Sequence, residues 1–399
     1  MRYVILKADL DTLRVRGDVL GDTPDNEALR GVELSVEAHE LTPSEVRDVR
    51  RAPEVLEAVP SVPVQLVSPL PVAADEPANE DDSTWGVAAV GAPRSPYSGA
   101  GATVAVLDTG IDNQHEAFRG MKLVEEDFTG QGSGDDHGHG THCAGTVFGR
   151  NVDGLRIGVA PGVETALIGK VLDHEGRGRS EQVVDGLIWA VRNGARVVSM
   201  SIGIDFTRLV DALMKVKGFE LAPATSQALS AYGQTLRLFD RLAGLVSAHS
   251  SIFGSAIVVA AAGNESKRPR YEIATAPPAA SDGFISVGAL RLEKTGPNRT
   301  LGVADFSNAL PDLSAPGVNI KSARIGGGLM LMNGTSMATP HVAGVAALWL
   351  EYINTINPNA NIRQLEGRLL GSTTLDRVAK PEDRANAGAG LVQAPRPAG

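Results

Sequence analysis

A chain of 399 residues with 43% hydrophobic and 21% charged side chains can bury a large core and hold more than one domain, which excludes a disordered protein. Its formal net charge of −10 argues against nucleic acid or an anionic membrane as the main partner. No apolar run is long enough to span a bilayer, and the charged start at Met1-Arg2 has no signal-peptide pattern. Together with a single cysteine, Cys143, this predicts a cytoplasmic protein without an internal disulfide, unless the chain leaves the cell by another route.

Residues 1–70 read as a small α+β unit. Tyr3 to Lys7 is a candidate strand. Val32, Leu34, Val36 and Ala38 alternate with Glu33, Ser35 and Glu37, which is strand periodicity. Thr42-Pro43-Ser44-Glu45 is a helix-start signature. That helix is expected to run towards Arg51 and to resume after Pro53 towards Val59, with a further strand at Val62–Val67. Residues 71–84 open with a stretch holding five acids, no bases and two prolines up to Ser83, the composition of a solvated linker. A second domain is expected over 85–399.

From Ala102 onward short apolar runs alternate with helical patterns: Thr103–Leu107, Val163–Val171, Arg196–Ile202, Ala256–Ala262 and Ile285–Leu290, with a helix over Gln182–Asn193. Strands separated by helices predict a parallel sheet covered on both faces. Residues 204–253 break the rhythm as a helical insertion. Phe206, Leu209, Val210, Leu213 and Met214 share one face; Leu229, Tyr232, Leu236, Phe239 and Val246 share another.

Four places carry chemistry. Asp108 ends a run of four apolar residues, where open α/β sheets place ligand and catalytic groups; by itself it suits a metal or a cap equally well. Asp135-Asp136-His137-Gly138-His139-Gly140-Thr141-His142 packs three histidines and two aspartates into eight residues, which invites a zinc reading, although no zincin pattern is present. Asn264 follows the buried run Val258–Ala262 and is either a turn residue or a donor for a developing oxyanion. Asn333-Gly334-Thr335-Ser336-Met337-Ala338-Thr339-Pro340-His341 delivers a hydroxyl at the start of an apolar helix, among free N–H groups; helix capping is the alternative.

Taken together, Val106-Leu107-Asp108-Thr109-Gly110, His139-Gly140-Thr141-His142-Cys143-Ala144-Gly145-Thr146, Ala261-Ala262-Gly263-Asn264 and the Ser336 segment resemble the subtilisin-like serine proteases. The order Asp, His, Ser is theirs, and the His139 motif is closest to the proteinase K branch. The resemblance covers about Trp85 to Gln393. It implies a three-layer α/β fold with a mostly parallel central sheet, and a serine endopeptidase working through an acyl-enzyme.

In that reading Ser336 is the nucleophile, His139 its base, Asp108 the partner of His139, and Asn264 the oxyanion-hole donor. Substrate is expected along Leu172, Gly176, Arg177, Gly178, Ser201, Ile202 and Gly203, with Ala261, Ala262, Gly263 and Ala276 around the pocket for the residue before the cut. Arg177, Arg179 and His174 are candidates for favouring acidic residues in the outer subsites. The alternative is a catalytically silent protein-binding module on the same fold.

No cofactor is required for such chemistry. The family's high-affinity structural calcium site is predicted lost, because Ala117 and Val152 stand where oxygen ligands are expected. Residues 1–70 resemble the family's ferredoxin-like propeptide, implying an intramolecular inhibitor of a self-processed zymogen, with cleavage between about Val67 and Ser83. The 204–253 insertion is expected to pack on the domain or to roof the cleft.

Overall fold

A computed structural model describes residues 1–9, 33–72, 79, 82–204, 206–248, 255–294, 299–357 and 361–396. Strands β1 (Arg2–Ala8), β2 (Leu34–Glu40) and β3 (Val55–Pro60) form an antiparallel sheet in the order β2-β1-β3. The Pro43–Val49 helix starts on the expected capping box: Glu45 accepts from the Thr42 N–H at 2.7 Å and donates its own N–H to Thr42 Oγ1 at 3.4 Å. The expected resumption of this helix towards Val59 is wrong. Val55–Pro60 instead pairs with the open edge of β1, and the Arg50 guanidinium closes the turn with bonds of 3.0 and 2.7 Å to the Ala58 carbonyl. Most of the acidic linker, 73–78 and 80–81, lies outside the described residues.

Strand β4 (Pro63–Leu66) leaves this unit and joins the rest of the chain. The main sheet is built from β5 (Thr103–Asp108), β6 (Lys122–Asp127) and β7 (Thr165–Lys170). After the short β8 (Arg177–Arg179) come β9 (Val197–Met200) and the two-residue β10 (Ile202–Gly203). Then follow β11 (Ile257–Ala261), β12 (Ile285–Lys294), β13 (Thr300–Val303) and β14 (Leu313–Pro316). The order is β13-β12-β11-β9-β5-β7-β6, with β14 also on β12, and every pair is parallel except β12–β13. The chain leaves β5 towards β7 and β6 and returns to β9 on its other side. The carboxyl end of β5, where Asp108 sits, is therefore a switch point of the sheet.

Period-two alternation splits the sheet between two cores. Val104, Val106, Val197 and Val259 join one, with the His139–Phe148 and Thr335–Ile356 helices. Ala105, Leu107, Val198, Val258 and Ala260 join the other, with the Ser180–Arg192 and Leu221–Ala248 helices. Val4, Leu6, Ala8, Val59 and Val64 belong to that second core, so the N-terminal sheet shares apolar packing with the main domain.

The insertion forms two helices, Phe206–Lys217 and Leu221–Ala248. The expected face of the second is only partly right. Leu229 is 62% exposed, whereas Ala224, Ala228, Thr235, Leu238, Leu242 and Leu245 are buried. Among the described residues, no helix is long and apolar enough to cross a membrane.

The Thr335–Ile356 helix passes the His139–Phe148 helix at close range through Gly344, where an added Cβ would lie 2.5 Å from Val159 Cβ and 3.2 Å from the Val147 carbonyl. Gly344→Ala is expected to destabilise the fold by about 1–3 kcal/mol through overpacking, read as a lower denaturant midpoint; an unchanged midpoint would contradict this packing.

Candidate active site

Three polar side chains from distant parts of the chain are buried: Asp108 at the carboxyl end of the interior strand β5, His139 at the first turn of its helix, and Ser336 at the first turn of the other. His139 Nδ1 lies 2.8 Å from Asp108 Oδ1, which also accepts the Thr109 N–H at 2.8 Å. The close approach needs glycine: a Cβ at Gly140 would fall 2.2 Å from the Gly110 carbonyl, and Gly110 itself has φ +108°.

Asp135 locks this junction. Its Oδ1 accepts from Thr109 Oγ1 and from the His137 and Gly138 N–H groups; its Oδ2 accepts from the Thr141 N–H and hydroxyl, all at 2.6–3.0 Å. Burial would raise this carboxyl, but the hydrogen bonds, led by Thr141, outweigh it and hold it below the usual range. Such occupancy leaves little of Asp135 for a metal. Burial also pushes His142 down to about 3 and His341 to about 4, so both rings are neutral packing groups. Among the described residues, the donors that could hold a metal ion are Asp108, His139 and Cys143, whose ligand atoms lie within 4.8 Å of one another. Burial pushes the Cys143 thiol up, which disfavours a thiolate ligand.

Cys143 connects the parts physically. Its Sγ lies 3.7 Å from His139 Nδ1 and 3.5 Å from the Ser336 carbonyl. That carbonyl is available because Pro340, four residues on inside the helix, has no N–H to offer it; Ser201 Oγ donates to it at 3.2 Å. Asn264 is aimed by Thr335, whose N–H and hydroxyl both donate to Asn264 Oδ1 at 2.9 Å. The Asn264 amide N–H is thereby presented to the cleft.

The cleft holds the chain's own residues 62–71. Strand β4 lies antiparallel between β8 and β10, pairing Val64 with Gly178, Gln65 with Arg177 and Gly203, and Leu66 with Ile202. The Leu66 N–H donates to Gly176 O at 2.8 Å and the Val67 N–H to Ser201 O at 3.2 Å. Ser336 Oγ donates to the Val67 carbonyl at 2.8 Å, and Asn264 Nδ2 to the Ser68 carbonyl at 3.0 Å. Beyond it, the Leu70 N–H donates to Asn333 O at 2.9 Å, and Asn333 Nδ2 to Pro71 O at 2.6 Å. The expected cleft residues Gly176, Arg177, Gly178, Ser201, Ile202 and Gly203 thus line an occupied groove. Leu172 and Gly263 are buried beneath it with Ala261 and Ala262, and the Ala276 N–H bonds to the Ala262 carbonyl at 3.1 Å.

Of the candidates for reading acidic residues, none turns its side chain to the groove. Arg177 pairs with Glu175, His174 with Gln131, and Arg179 with Glu181 and Ser61. Sequence reasoning missed Glu181, a buried carboxylate that ties the two units together. Its Oε1 accepts from Arg2 Nε at 2.8 Å and from Arg179 Nε at 3.1 Å, while Oε2 accepts from Ser61 Oγ at 2.6 Å. Nothing in the local pattern of a helix start distinguishes it from a surface glutamate.

Burial by itself would depress the His139 imidazole, but the Asp108 charge outweighs it and holds the ring well above the ordinary histidine range. An NMR titration of His139 should therefore give a midpoint above the ordinary histidine range, and Asp108→Asn should lower it. A midpoint unmoved by the substitution would contradict this coupling.

The Subtilase family model matches residues 99–390. Subtilisin BL of Lederbergia lenta is 32% identical over 302 residues, covering 73% of this chain and 93% of that protein. Subtilisin-like protease 6 of Trichophyton soudanense is 32% identical over 286 residues, covering 66% and 57%. Alkaline serine exoprotease A of Vibrio alginolyticus is 29% identical over 361 residues, covering 87% and 56%. The chain thus spans a little over half the length of the Trichophyton and Vibrio relatives. With the family model matching well over half of its residues, the chain belongs to the subtilase family.

Proposed function

We propose that the protein is a serine endopeptidase held as a zymogen by its own N-terminal unit. The observation that carries this is the path of residues 62–71: an extended segment paired on both sides, with two consecutive carbonyls on Ser336 Oγ and Asn264 Nδ2. A peptide held through its backbone as an added strand is how a protease presents a bond for cutting.

The chemistry follows from the placement of protons. With Nδ1–H donated to Asp108, the neutral form of His139 presents Nε2 as the base, so activity should rise with pH through the raised His139 midpoint. The Ser336 hydroxyl turns from the Val67 carbonyl oxygen to that nitrogen, gives up its proton and attacks the carbonyl carbon. Negative charge moves onto the carbonyl oxygen, where the Asn264 amide and the Ser336 N–H at the helix start receive it. The imidazolium, stabilised by Asp108, then protonates the departing amine. Water, deprotonated by His139, releases the acyl group and restores Ser336.

The Val67 carbonyl on Ser336 Oγ supports processing at Val67–Ser68, with the Asn264 amide, which holds the Ser68 carbonyl in the uncut chain, moving to the Val67 oxygen as charge develops there. The Val67 N–H is held by Ser201 O, within one of the two segments expected to pair with the substrate backbone. The shared apolar core and the Glu181 cluster support the N-terminal unit as an inhibitor docked on the cleft until cleavage lets it leave. N-terminal sequencing should find wild-type protein starting at Ser68 and Ser336→Ala protein uncut, and a fluorophosphonate should label only the former. Normal processing of the mutant would exclude self-cleavage, and absent labelling of processed wild type would favour a silent binding module. Asn264→Ala should lower kcat by about 10²–10³, a magnitude established in subtilisin itself.

Calcium-independence belongs to this proposal. Ala117 and Val152 are buried in the apolar core, so neither position offers a side-chain oxygen. EDTA should leave the thermal midpoint unchanged; a fall of several degrees would point to a cation held elsewhere.

A further inference from the structure

The segment in the cleft alternates as a strand must. Val64 and Leu66 are buried against the main domain, so Gln65 between them points to the opposite side of the strand. On that side it meets the insertion: Arg208 Nη1, on the exposed face of the Phe206–Lys217 helix, donates to Gln65 Oε1 at 2.6 Å. Arg177 lies opposite Gln65 in register but directs its guanidinium to Glu175. The helix follows directly on β10, the wall of the groove, so its position is coupled to the strand that grips the peptide.

We propose that this helix gives the cleft a subsite for the side chain two residues before Val67, the third residue before the cut bond, and that Arg208 selects a carboxylate or carboxamide there. The proposal rests on the peptidase reading above and assumes that substrate replaces residues 62–71 in the same register. A guanidinium offers several N–H donors to a planar acceptor, so glutamate gains a charge-assisted bond, glutamine a neutral one, and lysine is repelled. The site is solvent-exposed, which keeps the effect modest.

The test uses processed enzyme and octapeptides copying residues 62–69, Val-Pro-Val-Xaa-Leu-Val-Ser-Pro, with Xaa as Glu, Gln, Ala or Lys. Wild type should cut the Glu peptide about five- to twenty-fold more efficiently than the Lys peptide in kcat/KM, with Gln between. Arg208→Ala should bring that ratio near unity, and Arg208→Glu should invert it. An unchanged Glu-to-Lys ratio in Arg208→Glu would overturn the subsite while leaving the peptidase reading standing. Failure of wild type to cut any of the four would overturn the peptidase reading and the subsite with it.

Discussion

The contact on which the site depends is the buried pair of Asp108 and His139. A carboxylate at the end of a central strand has lost most of its water, and a buried imidazole would by itself prefer to be neutral. Set 2.8 Å apart, each makes the other tolerable. The surrounding architecture keeps these two groups from drifting. β5 is paired on both edges, the Gly110–Gly140 contact leaves no room for a side chain, and Asp135 ties the Thr109 turn to the helix start.

A second constraint is the missing N–H of Pro340. Inside a helix it would ordinarily be a defect. Here it releases the Ser336 carbonyl to Ser201 and Cys143, and so links the Ser336 backbone to the groove wall and to the helix of His139. The helix start is thereby held by the side chains of Ser201 and Cys143.

The occupied cleft shows how the N-terminal unit and the main domain are joined. β4 supplies a strand to an edge that β8 and β10 would otherwise leave unpaired, while Val4, Leu6 and Val59 bury apolar area on the second core. Between the two lies Glu181, whose carboxylate stays below the usual range because Ser61, Arg179 and Arg2 outweigh its burial. One helical turn on, Asp185 is pushed up to about 6 by its burial and by the charge of Glu181. The interface therefore combines apolar packing with a charged cluster.

Much of this was legible in the chain itself. Apolar runs ending in Asp108 and before Asn264, the capping box at Thr42, and the small-residue helices after His139 and Ser336 are local patterns, and local sterics and burial oblige them to form what they form. The four motifs and their order sufficed for the family and the sheet. Other features had no local signature. Whether Val55–Pro60 continued a helix or paired with β1 depended on an open strand edge fifty residues away. Which face of the Leu221–Ala248 helix was buried depended on which distant elements packed against it. That Glu181 joins two units, and that Arg208 reaches Gln65, depended on side chains over a hundred residues apart being brought together. Sequence determines the elements and the chemical groups they end in; only packing decides which groups from distant elements share a surface, because long-range contact is a property of the whole arrangement and of no single segment.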